Sequence, residues 1–449
     1  MRGTILSTTL QTVNKPASPA STNIVTLAHI FMRQPTFPFQ FLPHGVLPDA
    51  KYLLWARGLR AFGDGYVSLL LPYYLTLLGF GGLEIGITVT ATLLGTGAMT
   101  LGMGLIAHRY RQRGLLEAAA VLMIATGIAF VLTPDFWPLL IIAAVGTINP
   151  SNGDASIFGP LEHAMLTRTV DAAHRTALFA RYTLTGALIG ALGAQSAALP
   201  ALGGQWFAVD IKLAIQAMFV AYGALGFVCL LLYRRLSPRI EPHETAPNMP
   251  LGKSKRVVYT LAAVFSLDAF AGGFAVQSLL ALWLFERFHL SIATAGTIFL
   301  WTGILSAFSQ LAAARLARRF GLVNTMVFTH LPSNIFLILV PLMPNLELAL
   351  LFLMLRFALS QMDVPARTSY VMAVVTPGER AAAASVTAVP RSLAAAVGPV
   401  FAGWLLALSA FGWPLIICGA LKIVYDLTLL VMFRHVRPPE ESLIPQENI

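Results

Sequence analysis

The sequence predicts an all-α membrane protein whose twelve transmembrane helices form two pseudo-symmetric six-helix bundles. Three observations carry this expectation. Of 449 residues, 57% are hydrophobic and only 11% charged, with a mean hydropathy of +0.73. A soluble domain carries about 25% charged residues. Too little polar surface is therefore present to hold a globule in water, and the bilayer is the solvent. Twelve apolar runs are each long enough to cross roughly 30 Å of hydrocarbon as a helix. The chain also repeats itself. Leu59-Arg-Ala-Phe-Gly-Asp-Gly-Tyr returns 208 residues later as Leu267-Asp-Ala-Phe-Ala-Gly-Gly-Phe. Gly104-Leu-Ile-Ala-His-Arg-Tyr-Arg returns after 210 as Ala314-Arg-Leu-Ala-Arg-Arg-Phe-Gly, and Pro160 and Arg175 return after 205 as Pro365 and Arg380. Three echoes in one order mean two homologous halves, the parallel repeat with which many transporters build a central site between rocking bundles.

The spans fall at 52–78, 84–106, 115–133, 137–166, 178–200 and 211–233, then at 258–284, 291–314, 322–342, 346–374, 382–407 and 412–433. The bundles occupy 51–234 and 258–435, joined by a hydrophilic linker over 235–257, with tails at 1–50 and 436–449. The first tail bears Ser, Thr and Pro, lacks the apolar core of a secretory signal and reads as disordered. Met32 offers a second start, and 24–32 a weaker interfacial helix. Loops after the even-numbered spans hold sixteen Lys and Arg, including Arg109, Arg113, Arg181 and Arg319, whereas the alternating loops hold only Lys212 and Arg287. That bias puts both termini in the cytoplasm, with the chain crossing a cell (inner) membrane many times. It also accounts for the net charge of +10 without nucleic acid as a partner. Cys229 and Cys418 sit inside apolar runs and suggest neither a disulfide framework nor a metal site.

The segment from Gly104 to Arg113 is similar to the loop signature Gly-x-x-x-Asp-Arg-x-Gly-Arg-Lys/Arg of the major facilitator superfamily. Gly104, Arg109 and Arg113 match, while His108, Arg111 and Gln112 depart from it; the second copy keeps Arg319 and Gly321 but carries Ala314 and Arg318. Gly398-Pro399-x-x-x-Gly403 and Pro377-Gly-Glu-Arg380 resemble further motifs of that family. The resemblance covers residues 52–435 and implies a secondary transporter working by alternating access. It also implies that the loop latches the cytoplasmic side of the halves, a role from which the missing Asp departs. Gly186, Gly190 and Gly193 lack the proline of the family's antiporter motif, which removes the usual sequence argument for export.

Ionisable groups inside hydrocarbon need a partner, water or a job. Arg60 and Asp64 are i and i+4 on the first span, so two readings stand: a neutralised pair that orients the helix, or a proton-responsive carboxylate beside a cavity. The fourth span carries Asn149-Pro-Ser-Asn152-Gly-Asp154 near mid-depth. Such breakers survive there only where protein or water satisfies the freed backbone, and two Asn and an Asp favour cavity lining over a bland kink. Glu162 and His163 lie nearer the interface, where solvated or gating roles are common. Arg356, Asp363 and Arg367 form a stripe on the tenth span, suited to an anionic group or, by preference, to a salt-bridge gate. Asp268 holds the register of Arg60 with opposite sign, which permits a bridge between halves. Lys422 and Asp426 most simply neutralise each other, and Arg391 calls for an acid on another helix. His330, Ser333 and Asn334 read as packing or hydrogen-bonding groups. The small residues of the second, fifth and eleventh spans read as close helix packing.

Gly252-Lys253-Ser254 mimics the end of a phosphate loop, but Pro247 stands where the first Gly belongs. No cofactor, metal or enzymatic chemistry is expected. The sequence therefore predicts a monomeric secondary transporter that uses protons or another coupling ion to move a small organic solute. Export is favoured over uptake by symport. A non-transporting sensor or a membrane enzyme is the alternative of another class. Asp64, Asn149, Asn152, Asp154 and Asp268 are the candidates for proton coupling or cavity lining. Arg60, Arg109, Arg113, Glu162, Arg319, Arg356, Asp363, Arg367 and Arg391 are those for gating or charge pairing.

Overall fold

A computed structural model of the protein describes residues 46–106, 110–151, 156–171, 174–241, 252, 254–376 and 379–433. Asn152, Asp154, Arg109 and both tails beyond 46–433 lie outside the described residues. The first half comprises α1 (Asp49–Leu77), α2 (Gly82–Ile106), α3 (Gln112–Leu132), α4 (Phe136–Val145), α5 (Phe158–Leu166), α6 (Arg175–Ser196), α7 (Leu199–Phe207) and α8 (Ile211–Tyr233). The second comprises α9 (Lys255–Gly273), α10 (Gln277–Phe288), α11 (Ile292–Phe320), α12 (Leu322–Leu342), α13 (Leu346–Leu359), α14 (Asp363–Ala373), α15 (Arg380–Leu408) and α16 (Trp413–Phe433). Ten helical stretches among the described residues are long and apolar enough to cross a membrane. The first span, α1, which carries Arg57, Arg60 and Asp64, is not among these, and the fourth is divided into α4 and α5.

Four of the twelve apolar runs are not single helices; the fifth ends in the separate α7 after a turn at 197–198. The fourth breaks between α4 and α5 and the seventh between α9 and α10. The tenth breaks between α13 and α14. Pro160 and Pro365 occupy the third position of α5 and α14, in the first turn, where a missing N–H costs no helical hydrogen bond. The repeat thus restarts a helix at equivalent points of the two halves.

Packing follows the same symmetry. In the first half α1 packs on α6 and α8, α3 on α8, and α2 on α4. In the second α9 packs on α15 and α16, α12 on α16, and α11 on α13. Each pair recurs six spans later. The halves meet where α2 crosses α15 and where α6 crosses α11. Small residues allow these crossings, as the sequence indicates: a Cβ on Gly86 would collide with the backbone of Pro399 and Gly403. Gly86 lies near the start of α2 and Gly403 near the end of α15, and Gly296 near the start of α11 meets Ala194 near the end of α6. These closest approaches therefore lie at the end of the bundle remote from the start of α1. At the other end, Asp49 accepts hydrogen bonds from the backbone and hydroxyl of Ser237, and Glu241 accepts from the backbone of Gln112 and Arg113. The start of the linker is thereby tied to the first half.

Candidate functional site

Charged side chains gather around the breaks. In the first half Arg60 of α1 donates to the Glu162 carboxylate of α5 and, at 3.2 Å, to the Ser156 hydroxyl. Tyr182 of α6 and Tyr233 of α8 donate to the same carboxylate, the latter at 2.6 Å. The guanidinium also lies 4.2 Å from the centroid of the Phe158 ring. Arg60 is 2% exposed and Glu162 0%, so neither charge is solvated and each depends on the other. Breaking such a pair costs about 3–5 kcal/mol, because it strands an ion in a medium that cannot hydrate it.

Asp64, one turn further along α1, takes no part in that pair. It lines a narrow cavity with Thr96, Thr147, Asn149, Ser156 and Tyr222, and Arg60 forms one wall. Gly63 lets the Tyr222 ring close against α1, and a Cβ on Gly65 would collide with the backbone of Gly190, so the glycines flanking Asp64 bring α8 and α6 up to it. Tyr222 donates at 2.9 Å to the carbonyl of Thr147 in the break, and Asn149 Oδ1 accepts from the backbone and hydroxyl of Ser151 at 3.0 and 2.8 Å. These described groups of the break are thus satisfied internally. Two hydrogen bonds reach the other half at this level: Ser278 N–H to the Pro150 carbonyl at 3.2 Å, and Gln277 Nε2 to the Ser68 hydroxyl at 2.9 Å.

In the second half Arg367 of α14 donates to Asp268 of α9 at 3.0 Å and to Asp363 at 2.9 Å. Lys422 of α16 donates to the other oxygen of Asp268. Asp426 is held by His330 Nδ1 at 2.8 Å and by Asn334 Nδ2 at 2.9 Å.

Several expected pairings are corrected by this geometry. Arg60 does not pair with Asp64 but with Glu162, since the inter-helix contact offers a carboxylate already supported by two tyrosines. Arg60 and Asp268 do not bridge the halves, because each is neutralised within its own. Lys422 passes over Asp426 to reach Asp268, leaving Asp426 to a histidine and an asparagine. Glu162 is not solvated. The tenth-span stripe is divided: the break after α13 separates Arg356 from the Asp363–Arg367 pair. Arg181, counted with a loop, is the seventh residue of α6. Arg113 turns to Glu117 and the Leu236 carbonyl, within its own half and linker. Arg319 is exposed at the end of α11, and Arg391 is half-buried in α15. His330 and Asn334 are hydrogen-bonding groups, as expected, and Ser333 donates to the Arg356 carbonyl.

Tyr182, Tyr222 and Tyr233 were not singled out by sequence, since an aromatic in an apolar run looks like packing until its hydroxyl has a partner. Outside the spans, Glu379 accepts from the hydroxyls of Ser254 and Thr376 and the Gly252 N–H. These donors hold its carboxyl down at about 2. Among the described residues no cluster of His, Cys, Asp and Glu is suited to a metal ion.

Comparison with known proteins agrees with this architecture. The model of the Major Facilitator Superfamily matches residues 53–360 and again 261–448. An uncharacterized membrane protein of Saccharomyces cerevisiae, YJR124C, is 27% identical over 421 residues, covering 86% of this chain and 94% of its own. The uncharacterized MFS-type transporter YceJ of Bacillus subtilis is 25% identical over 192 residues, covering 42% of this chain and 49% of its own. The nucleoside transporter NupG superimposes with a TM-score of 0.65 at 14% identity, covering 87% of this chain and all of that one. A bacterial homolog of the human lysosomal transporter Spinster, inward-facing and occupied, gives 0.66 at 15%, covering 89% and 98%.

Proposed function

The chain belongs to the Major Facilitator Superfamily, and from that premise we propose that it is a proton-coupled secondary transporter that moves a small organic solute by alternating access, with Asp64 as the coupling carboxylate. It is a multi-pass membrane protein of transporter type. One observation carries the finer reading. Glu162, Asp268, Asp363 and Asp426 each accept from an arginine, lysine or histidine, whereas Asp64 lines a cavity with no ion pair among the described residues. A carboxylate that must be desolvated when the cavity closes favours taking a proton, and one that faces water favours releasing it. Opening and closing around Asp64 thus couples protonation to access. If solute and proton exclude each other there the cycle is an antiport, and if they bind together it is a symport.

With the termini in the cytoplasm of a cell membrane, the contacts between α2 and α15 close the external side and the cavity opens inward. The test is flux in vesicles carrying a trapped pH dye and reconstituted with the purified protein. A solute that drives proton movement through the wild type should drive none through Asp64→Asn, with thermal unfolding of the variant preserved. Undiminished proton movement in that variant would remove Asp64 from the mechanism.

A further inference from the structure

Three guanidinium groups inside the spans have no carboxylate at salt-bridge distance among the described residues. Arg57 of α1, Arg181 of α6 and Arg356 of α13 form no hydrogen bond or ion pair through their guanidinium nitrogens among the described residues. In each at least one such nitrogen is buried without a partner: Nε of Arg57 and Arg356, and one terminal nitrogen of Arg181. The other cations at this depth behave differently, for Arg60, Arg367 and Lys422 all reach carboxylates. A guanidinium in hydrocarbon without a carboxylate implies a wet cavity or an anion that arrives from outside.

Their placement favours the second. Arg57 and Asp64 are seven residues apart on α1 and so share one face, which puts Arg57 two turns below the acid. Its guanidinium lies 5.4 Å from the centroid of the Tyr182 ring and fills the space left by Gly186, where any Cβ would collide with it. Arg181 is the chain neighbour of Tyr182 on α6, the helix against which Arg57 packs. That helix also crosses α11, closest toward its other end, so the helix that carries Arg181 belongs to the boundary of the halves. Arg356 lies in the opposite half on the last turn of α13, just before the break. Arginine's planar fork matches carboxylate, phosphate and sulfonate oxygens in a way a lysine point charge does not.

We infer that the transported solute carries an oxyanion, received by Arg57 and Arg181 in one half and by Arg356 in the other. The inference rests on the transporter reading but concerns binding alone, so the two can fail separately. Purified full-length protein in detergent is heated with matched probes: benzoate, benzylamine and benzyl alcohol; glycerol 3-phosphate and glycerol; ethanesulfonate and ethanol. At least one anion should raise the unfolding temperature, and its neutral and cationic partners should not. For that anion Arg57→Gln, Arg181→Gln and Arg356→Gln should each weaken apparent affinity tenfold or more, Arg57→Lys should recover it only in part, and Arg239→Gln in the linker should leave it unchanged. Arg57→Lys also serves where the glutamine variant fails to fold, because full affinity with lysine would mean a charge-balancing role and overturn the oxyanion site. Stabilisation by an amine or alcohol in place of every anion, or an anion shift that survives the glutamine variants, or no response to any anion, would equally overturn it. An anion that binds in this way but never crosses reconstituted vesicles leaves the binding site intact and sinks the transporter reading.

Discussion

In the first half the first span supplies the cation, Arg60, and the fourth the acid, Glu162. In the second half the seventh span supplies the acid, Asp268, and the tenth the cation, Arg367. The positions correspond: Asp268 follows Arg60 by 208 residues and Arg367 follows Glu162 by 205, the offsets of the repeat itself. One buried ion pair has been kept twice with its signs exchanged. The surroundings then diverge. Lys422 reinforces Asp268, and Gly272 stands where the first half has Asp64. The second half is therefore cross-linked through α9, α14 and α16 with its acids paired, while the first holds one acid in reserve beside a cavity. The difference teaches that a duplicated ion pair can be kept in both bundles while the position one turn away diverges, to an acid beside a cavity in one and a glycine in the other.

The largest expected effect is on the clamp. Asp268→Asn leaves Lys422 without its carboxylate and Arg367 with Asp363 alone, and should destabilise the protein by about 3–5 kcal/mol, measured as unfolding in detergent. Glu162→Gln should cost about 3–5 kcal/mol by the same logic. If the halves are truly equivalent there, the double reversal Arg60→Glu with Glu162→Arg should recover much of that loss, and no recovery would break the comparison. Asp64→Asn, by contrast, removes a buried charge that has no ion pair and should change stability by less than about 1 kcal/mol, in either direction. A loss as large as that of Asp268→Asn would show that Asp64 is a third clamp residue.

A smaller effect belongs to the crossing between halves. Gly86→Ala pushes a methyl into the backbone of α15 and should weaken closure at that end by about 1–3 kcal/mol, read as reduced cross-linking between cysteines placed on α2 and α15. The smallest concerns Glu379, which lies outside the spans. Its carboxyl is held down at about 2 by Ser254, Thr376 and the Gly252 N–H, below an ordinary value near 4.5. A depressed carboxyl stabilises the fold above its ordinary value and loses that contribution as pH falls through about 2. Glu379→Gln should therefore lower stability modestly at neutral pH and flatten the acid limb of the unfolding curve, the two proteins converging as pH falls to about 2.

The sequence was clear about what travels with hydropathy and repetition. Each apolar run lies on a helix or a pair of helices, and the offset of 208 residues set Asp268 in the register of Arg60, although the two neutralise partners within their own halves and not each other. Pro160 and Pro365 marked the restart of α5 and α14, and Asn149-Pro150 the break before α5. Partners were less legible. Spacing of i and i+4 suggested Arg60 with Asp64 and Lys422 with Asp426, yet Arg60 finds Glu162 at 102 residues and Lys422 finds Asp268 at 154. In a bundle the neighbour that neutralises a charge comes from another helix, and a single sequence fixes which helices touch only through packing. The same reason hid the tyrosines around Glu162 and the position of Arg181 inside α6.

The most direct test of the account is an infrared difference titration of the reconstituted protein, following carboxyl bands as the pH is lowered. The account predicts a protonated-carboxyl band that persists in Asp268→Asn and disappears in Asp64→Asn. A band that survives in Asp64→Asn and is lost in Asp268→Asn would place the working proton in the other half and contradict it.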